Sequence, residues 1–348
     1  MAEGYGRAMA EGHLTRRALL GFGVWGSLAL LESSLAGCAR RGPRLAARRG
    51  ELPERWVRLL PRDWVVRWLE EADQVQEAAG TPISERPALV QLGDGWATAL
   101  PRAHWSPFGH GDLLGRLDGS AASASRLFGG QEQAPLAFPW SCNPWVLVLR
   151  DRPDLARQKD AGWSILLDPS LTGKVVLPSS PRVVMALMRG DRQGVCQLRR
   201  QALALDDRHG LNLLLSGPAQ AAVLPRQLVV PLLRRDPRLA AVLPPEGAPR
   251  AWSMLLRPAG LQSSLPGEWL EAILQPPLLP RVLATGWVPP LPRPLLVSAL
   301  KGFAPVLTEL LLPPEAVLGR CTDLPPLQPA ERRQLQELWS STSPCQRV

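Results

Sequence analysis

The sequence predicts an α/β fold with a largely parallel sheet. Two observations carry this. Short apolar runs closed by glycine or proline recur along the chain, and segments with helical spacing of apolar residues lie between them. Such alternation builds strand–helix–strand units. The 348 residues, 45% hydrophobic and 20% charged, suffice for one large core or two moderate ones and are too apolar for disorder. The 37 prolines are about twice the usual share, which favours short elements and ordered turns.

In chain order, Asp63 to Ala79 carries Trp64, Trp68, Leu69, Ala72 and Val75 at helical spacing, with Asp63 as N-cap and Gly80 as stop. Ala88–Leu92 is a short buried strand ended by Gly93-Asp94-Gly95, and Trp145–Leu149 is a second apolar, β-branched run. Gly173–Pro178 is a turn, a strand and a stop; Pro181 then suits the first turn of a helix through Met188. Gln193–Leu205 is helical, Ala221–Leu224 a strand, and Trp269–Leu274 and Pro329–Ser340 close the chain as helices.

The N-terminus has the order of an export signal. Arg16-Arg17 precedes an apolar stretch to about Leu31, too short to span a bilayer comfortably. It ends in Leu35-Ala36-Gly37-Cys38, which resembles the bacterial lipobox, where the cysteine is acylated and the chain is cut before it. The expectation is a twin-arginine signal peptide over 1–37, a lipid anchor at Cys38, and a tether over 38–50. Within that tether Arg40, Arg41, Arg44, Arg48 and Arg49 add attraction to anionic headgroups. Cys142, Cys196, Cys321 and Cys345 remain, an even number in an oxidising compartment that allows three pairings. Cys321 with Cys345, flanking the last helix, is the simplest; four free buried thiols are the alternative.

The formal charge is +9, with Lys159, Lys174 and Lys301 the only lysines. The arginines are scattered, without the basic helix or stripe that nucleic-acid binding needs, so no nucleic-acid partner is expected. Catalytic motifs are missing. After the leader the histidines are His104, His110 and His209, in no HExxH pattern, and no G-x-S-x-G occurs. Leu171-Thr-Gly-Lys174 looks like the end of a phosphate loop, yet Asp168 stands where its first glycine belongs and no Ser or Thr follows the lysine. No enzyme activity, cofactor or metal is expected.

From about residue 86 to 290, several segments occur in the order found in the solute-binding proteins of bacterial ABC importers, most like the spermidine/putrescine-binding branch. Pro87–Trp96 resembles a strand and its ligand-facing loop, and Pro139–Leu149 the first crossover between lobes. Asp168–Arg182 resembles the segment with GKV-x-L-P and the loop after it; Leu243–Trp252 resembles the second crossover, and Gly286–Pro289 a late segment before the C-terminal helices. The resemblance implies a two-lobe type II periplasmic-binding-protein fold with a cleft between lobes. Lobe 1 would take 51–140 and, with the C-terminal helices, 251–348; lobe 2 would take 141–250. A small polar solute in the cleft and ABC permease subunits would be the partners, in the periplasm.

The ligand-facing residues so implied are Asp94, Trp96, Trp140, Ser141, Ser180 and Trp252. The family's acidic pair, however, falls on Ser180 and Val183, and its aspartate after the crossover tryptophan on Met254. The strand that should carry further contacts is not recognisable in 51–62. Asp94 and Glu246 are the nearby acids, too few to compensate a polyamine's ammonium groups. Arg182 is either a solvated charge or a fork for an anionic solute; Ser180 is equally a helix cap and Asp94 a turn residue. Tyrosine-based ferric binding is excluded after cleavage, since the only tyrosine is Tyr5. The expected function is a membrane-anchored solute-binding component, polyamine-binding-like but without the usual carboxylates. The alternative is a degenerate version serving as a non-transport interaction or assembly lipoprotein.

Overall fold

The computed structural model describes residues 42–206 and 209–342. The leader, Cys38, Arg40, Arg41 and Cys345 lie outside the described residues. Among those described, ten strands form one sheet: β1 (Arg44–Arg48), β2 (Val65–Leu69), β3 (Leu89–Gly93), β4 (Trp105–Ser106), β5 (Ala137–Arg150), β6 (Val175–Leu177), β7 (Ala202–Leu205), β8 (Ala221–Pro225), β9 (Leu239–Val242) and β10 (Arg250–Pro258). Their order is β2-β1-β3-β10-β5-β8-β6-β7, with β4 also on β10 and β9 on β5. The pairs β1–β2, β1–β3, β6–β7 and β6–β8 are parallel, as the strand–helix alternation requires. The middle is antiparallel: β10 runs against β3 and β5, and β5 against β8 and β9.

β5 explains the two-part architecture. It is 14 residues long and buried at all but two positions. Its first part, Ala137–Pro144, pairs with β10, and its second, Trp145–Leu149, pairs with β8. β10 starts opposite Pro144. The two halves of the sheet are thus joined through β5 and β10, the two crossovers expected near Pro139–Leu149 and Leu243–Trp252. The expected boundaries at 140/141 and 250/251 fall inside β5 and at the first residues of β10. Beneath both halves runs a shared apolar layer. Leu45, Leu89 and Phe138 from one half and Val176, Ala222 and Leu224 from the other cluster with Trp287, Leu307 and Leu310.

Several expectations change. The tether over 38–50 does not hold from Arg44 on: Leu45, Ala46 and Ala47 are fully buried in β1, between β2 and β3. Arg44 and Arg48 cap its ends through the carbonyls of Ser84 and Glu70, at 2.9 and 3.2 Å. The helix expected over 63–79 is half strand. Val65 and Val66 are β-branched and pair with β1, and the helix begins only at Ala72, behind a capping box of Glu71 and Gln74. Similarly the 193–205 helix stops at Gln201, and Ala202–Leu205 turns into β7 alongside β6.

The C-terminal region does not stay with the first half. A strap over 321–325 leads to the helix Pro329–Ser341, which packs on the helix Pro181–Leu187 of the second half. There Arg199 lies 4.0 Å over the Trp339 ring and donates to the Trp339 carbonyl at 2.7 Å. The strap is therefore a third connection between the halves. Gly247 makes room for it. At φ +86° it adopts a conformation that favours glycine, and a Cβ there would stand 2.4 Å from the Arg320 carbonyl. The simplest disulfide fails too: Cys321 and Cys142 are free thiols, while Cys196 is disulfide-bonded.

Candidate functional site

Where the two halves meet, five charged or aromatic side chains and the strap converge. Asp94 opens the helix Asp94–Ala99 directly after β3. Its Oδ1 accepts the Trp252 backbone N–H at 3.3 Å. Trp252, buried in β10, donates its indole Nε1–H to Asp323 Oδ1 at 2.8 Å. The same oxygen stands 2.8 Å from Arg250 Nε. From the second half Arg182, in the first turn of the helix Pro181–Leu187, holds the Leu324 and Pro325 carbonyls at 3.1 and 2.5 Å.

The electrostatics follow from burial. Asp94 is pushed up to about 6, chiefly because its charged form loses water; the Trp252 N–H opposes the rise and the nearby Asp323 charge adds to it. Burial also lowers Arg182, against the attraction of Asp94 and Glu331. Two carboxylates face two guanidiniums, so the junction carries no large net charge.

The residues expected to face a ligand separate into three groups. Asp94 and Trp252 belong to this junction, but Trp252 presents only its indole N–H, already bound to Asp323. Trp96 is 43% exposed and Ser180 partly exposed, the latter at the N-cap of the Pro181–Leu187 helix without a side-chain capping bond. Trp140 and Ser141 do not face a cleft. Between Ser253 and Met254 the register shifts, leaving Trp140 as the extra residue of a β-bulge, which re-aims its side chain. Its ring is fully buried at 5.2 Å from Trp56 and 4.8 Å from Trp287. Trp56 in turn stacks on Trp269 at 4.2 Å, each indole donating to the other's carbonyl at 2.7 Å. Ser141, fully buried, accepts from Val288 N–H and Asn143 Nδ2 at 3.2 and 2.9 Å. Glu246 is likewise committed, accepting the Trp163 N–H at 2.6 Å.

Asp323, Arg250 and the strap had no signal in the sequence. Asp323 meets Trp252 from 71 positions away, and no spacing rule spans such a gap. A further cavity of about 290 Å3 opens beside the crossovers, reached by Cys142, Arg226 and Arg250. Among the described residues no group of three or more His, Cys, Asp or Glu is gathered as metal ligands would be. No helix among them is long and apolar enough to cross a membrane.

No family model matches the chain, and no curated protein matches it in sequence. Solved structures do. PotD, the spermidine/putrescine ABC transporter substrate-binding protein of Streptococcus pneumoniae, superposes with a TM-score of 0.68 at 9% identity, covering 87% of this chain and 98% of that one. A putative spermidine/putrescine ABC transporter from Listeria monocytogenes gives 0.60 at 13%, with the same coverage. The TpPotD lipoprotein of Treponema pallidum gives 0.62 at 11%, covering 86% and 98%. The chain shares the two-part α/β fold of these substrate-binding proteins, which is the fold class its motif order implied.

Proposed function

We propose that this protein is the extracytoplasmic solute-binding component of an ABC importer, exported by its twin-arginine leader and held to the membrane through a lipid on Cys38. One observation carries the reading. Two α/β halves meet along β5 and β10 with Asp94, Trp252 and Arg182 at their junction, in a fold shared over 87% of the chain with substrate-binding proteins. Polar groups convergent between two halves are a common ligand site. The role read from this arrangement is binding.

The solute is not a free polyamine. Asp94 and Asp323 would supply carboxylates, but the charges of Arg182 and Arg250 already act on them, and a dication placed there would be repelled by both guanidiniums. A thermal-shift and calorimetric panel of putrescine, spermidine, amino acids, sugars and organic anions tests this. Stabilisation by a solute other than a polyamine is expected. Tight putrescine or spermidine binding would contradict the charge argument, and no response to any solute would contradict the solute-binding role.

The strap favours a second reading. Asp323 occupies the Trp252 indole, and Arg182 grips strap carbonyls, so the chain fills its own junction. A degenerate solute-binding fold acting as an interaction or assembly lipoprotein would look so. Recovery of a complex without permease subunits from mildly solubilised membranes would favour it.

A further inference from the structure

The cavity of about 290 Å3 beside the crossovers has a cationic floor and apolar walls. Arg226, Arg250 and Arg293 line it, and the walls are prolines, leucines and Val288 from the 288–296 and 311–318 segments. Two acids, Asp118 and Glu315, also line it, but both are exposed; Asp118 is engaged by the Ser120 N–H at 2.9 Å.

Arg226 is 2% exposed. Its Nη1 donates to the Leu310 and Leu311 carbonyls at 3.1 and 3.0 Å, and its Nη2 to the Cys142 carbonyl and Asn143 Oδ1 at 2.9 and 3.3 Å. Its Nε has no partner, and no carboxylate touches it among the described residues. A buried guanidinium held only by neutral oxygens lacks its counter-charge, and burial brings it down to about 10. Arg293 also donates to a neutral oxygen, the Pro313 carbonyl at 2.9 Å. Arg250 differs. Its Nε lies 2.8 Å from Asp323 Oδ1 as an ion pair that lacks hydrogen-bond geometry, and neither Nη has a hydrogen-bond partner among the described residues. The two Nη nitrogens of a guanidinium form a fork matched to a carboxylate.

We propose that this cavity binds a small organic carboxylate with an apolar body, its carboxylate taken by the Nη pair of Arg250 above the uncompensated charge of Arg226. The inference names the solute class for the solute-binding reading and rests on it. The walls shelter the apolar part from water, and the strap, whose Asp323 stands beside Arg250 Nε, contributes no residue to the cavity lining.

Calorimetry on the full-length chain with acetate, butyrate and benzoate, with sulfate, glucose and putrescine for comparison, tests it. Butyrate or benzoate should bind more tightly than acetate and sulfate. Arg250→Gln should weaken that binding at least 10-fold, Arg250→Lys less, with circular dichroism confirming that both variants fold. Carboxylate affinity unchanged in Arg250→Gln would overturn the inference. So would sulfate binding as tightly as butyrate, or a solute such as glucose binding while carboxylates do not; the last outcome leaves the solute-binding role standing. No binding of any compound would overturn both.

Discussion

Replacing Asp94 by asparagine isolates the cost of a charge at the junction between the halves. The amide keeps an oxygen to accept the Trp252 N–H, 3.3 Å away in the native chain, and removes the charge. Burial raises Asp94 from its ordinary 3.8 to about 6, so between those values the native state holds a proton that the unfolded chain has released. Unfolding free energy therefore falls as pH rises through that window. At about 1.4 kcal/mol per pH unit, the cost above pH 6 reaches about 3 kcal/mol. Asp94→Asn should match the native protein near pH 4 and exceed its stability by up to about 3 kcal/mol at pH 7.5. Urea unfolding of both proteins at half-unit pH steps measures this. A stability difference that does not change with pH, or an asparagine variant less stable at pH 7.5, would refute the burial argument.

Gly247→Ala should cost about 2 kcal/mol or more, because it combines a positive φ with a clash on the Arg320 carbonyl; hydrogen exchange over 321–342 should speed up as the strap lifts. Trp56→Phe removes one of two reciprocal indole bonds and leaves the buried Trp269 carbonyl without its donor. Thermal denaturation should report a loss of about 2 kcal/mol, and a neutral result would show that the stacked pair adds little. Burial pushes the Cys142 thiol up to about 12 and raises Cys321 as well. Both should resist iodoacetamide at pH 8 in the native protein and react in guanidinium, and rapid labelling of native Cys142 would contradict this.

Much of the fold was legible because its strands carry β-branched runs closed by glycine or proline. Leu89–Gly93, Val175–Leu177 and Ala221–Pro225 lie where those signals placed them. β1 escaped because Arg-Leu-Ala-Ala-Arg has almost no β-propensity; its neighbours on both sides, not its own residues, make it a strand. β2 escaped because Trp64, Trp68 and Leu69 satisfy a helical period by coincidence, and pairing with β1 decides otherwise. At the site, Asp94 and Trp252 were visible as loop and crossover residues. Trp140 was misassigned because a one-residue bulge reverses the facing of a side chain, and a bulge leaves no mark in the residue pattern. The arginines around the cavity are scattered along the sequence. Their meaning depends on which groups stand beside them, and that is set by contacts across as many as 85 positions, as between Arg226 and the Leu311 carbonyl.

The apolar layer shared by both halves, with Leu45 and Val176 in one cluster, has a thermodynamic consequence. Neither half can melt without exposing hydrocarbon that the other also covers. Heating should therefore give one endotherm whose calorimetric and van't Hoff enthalpies agree, as if the chain were a single cooperative block.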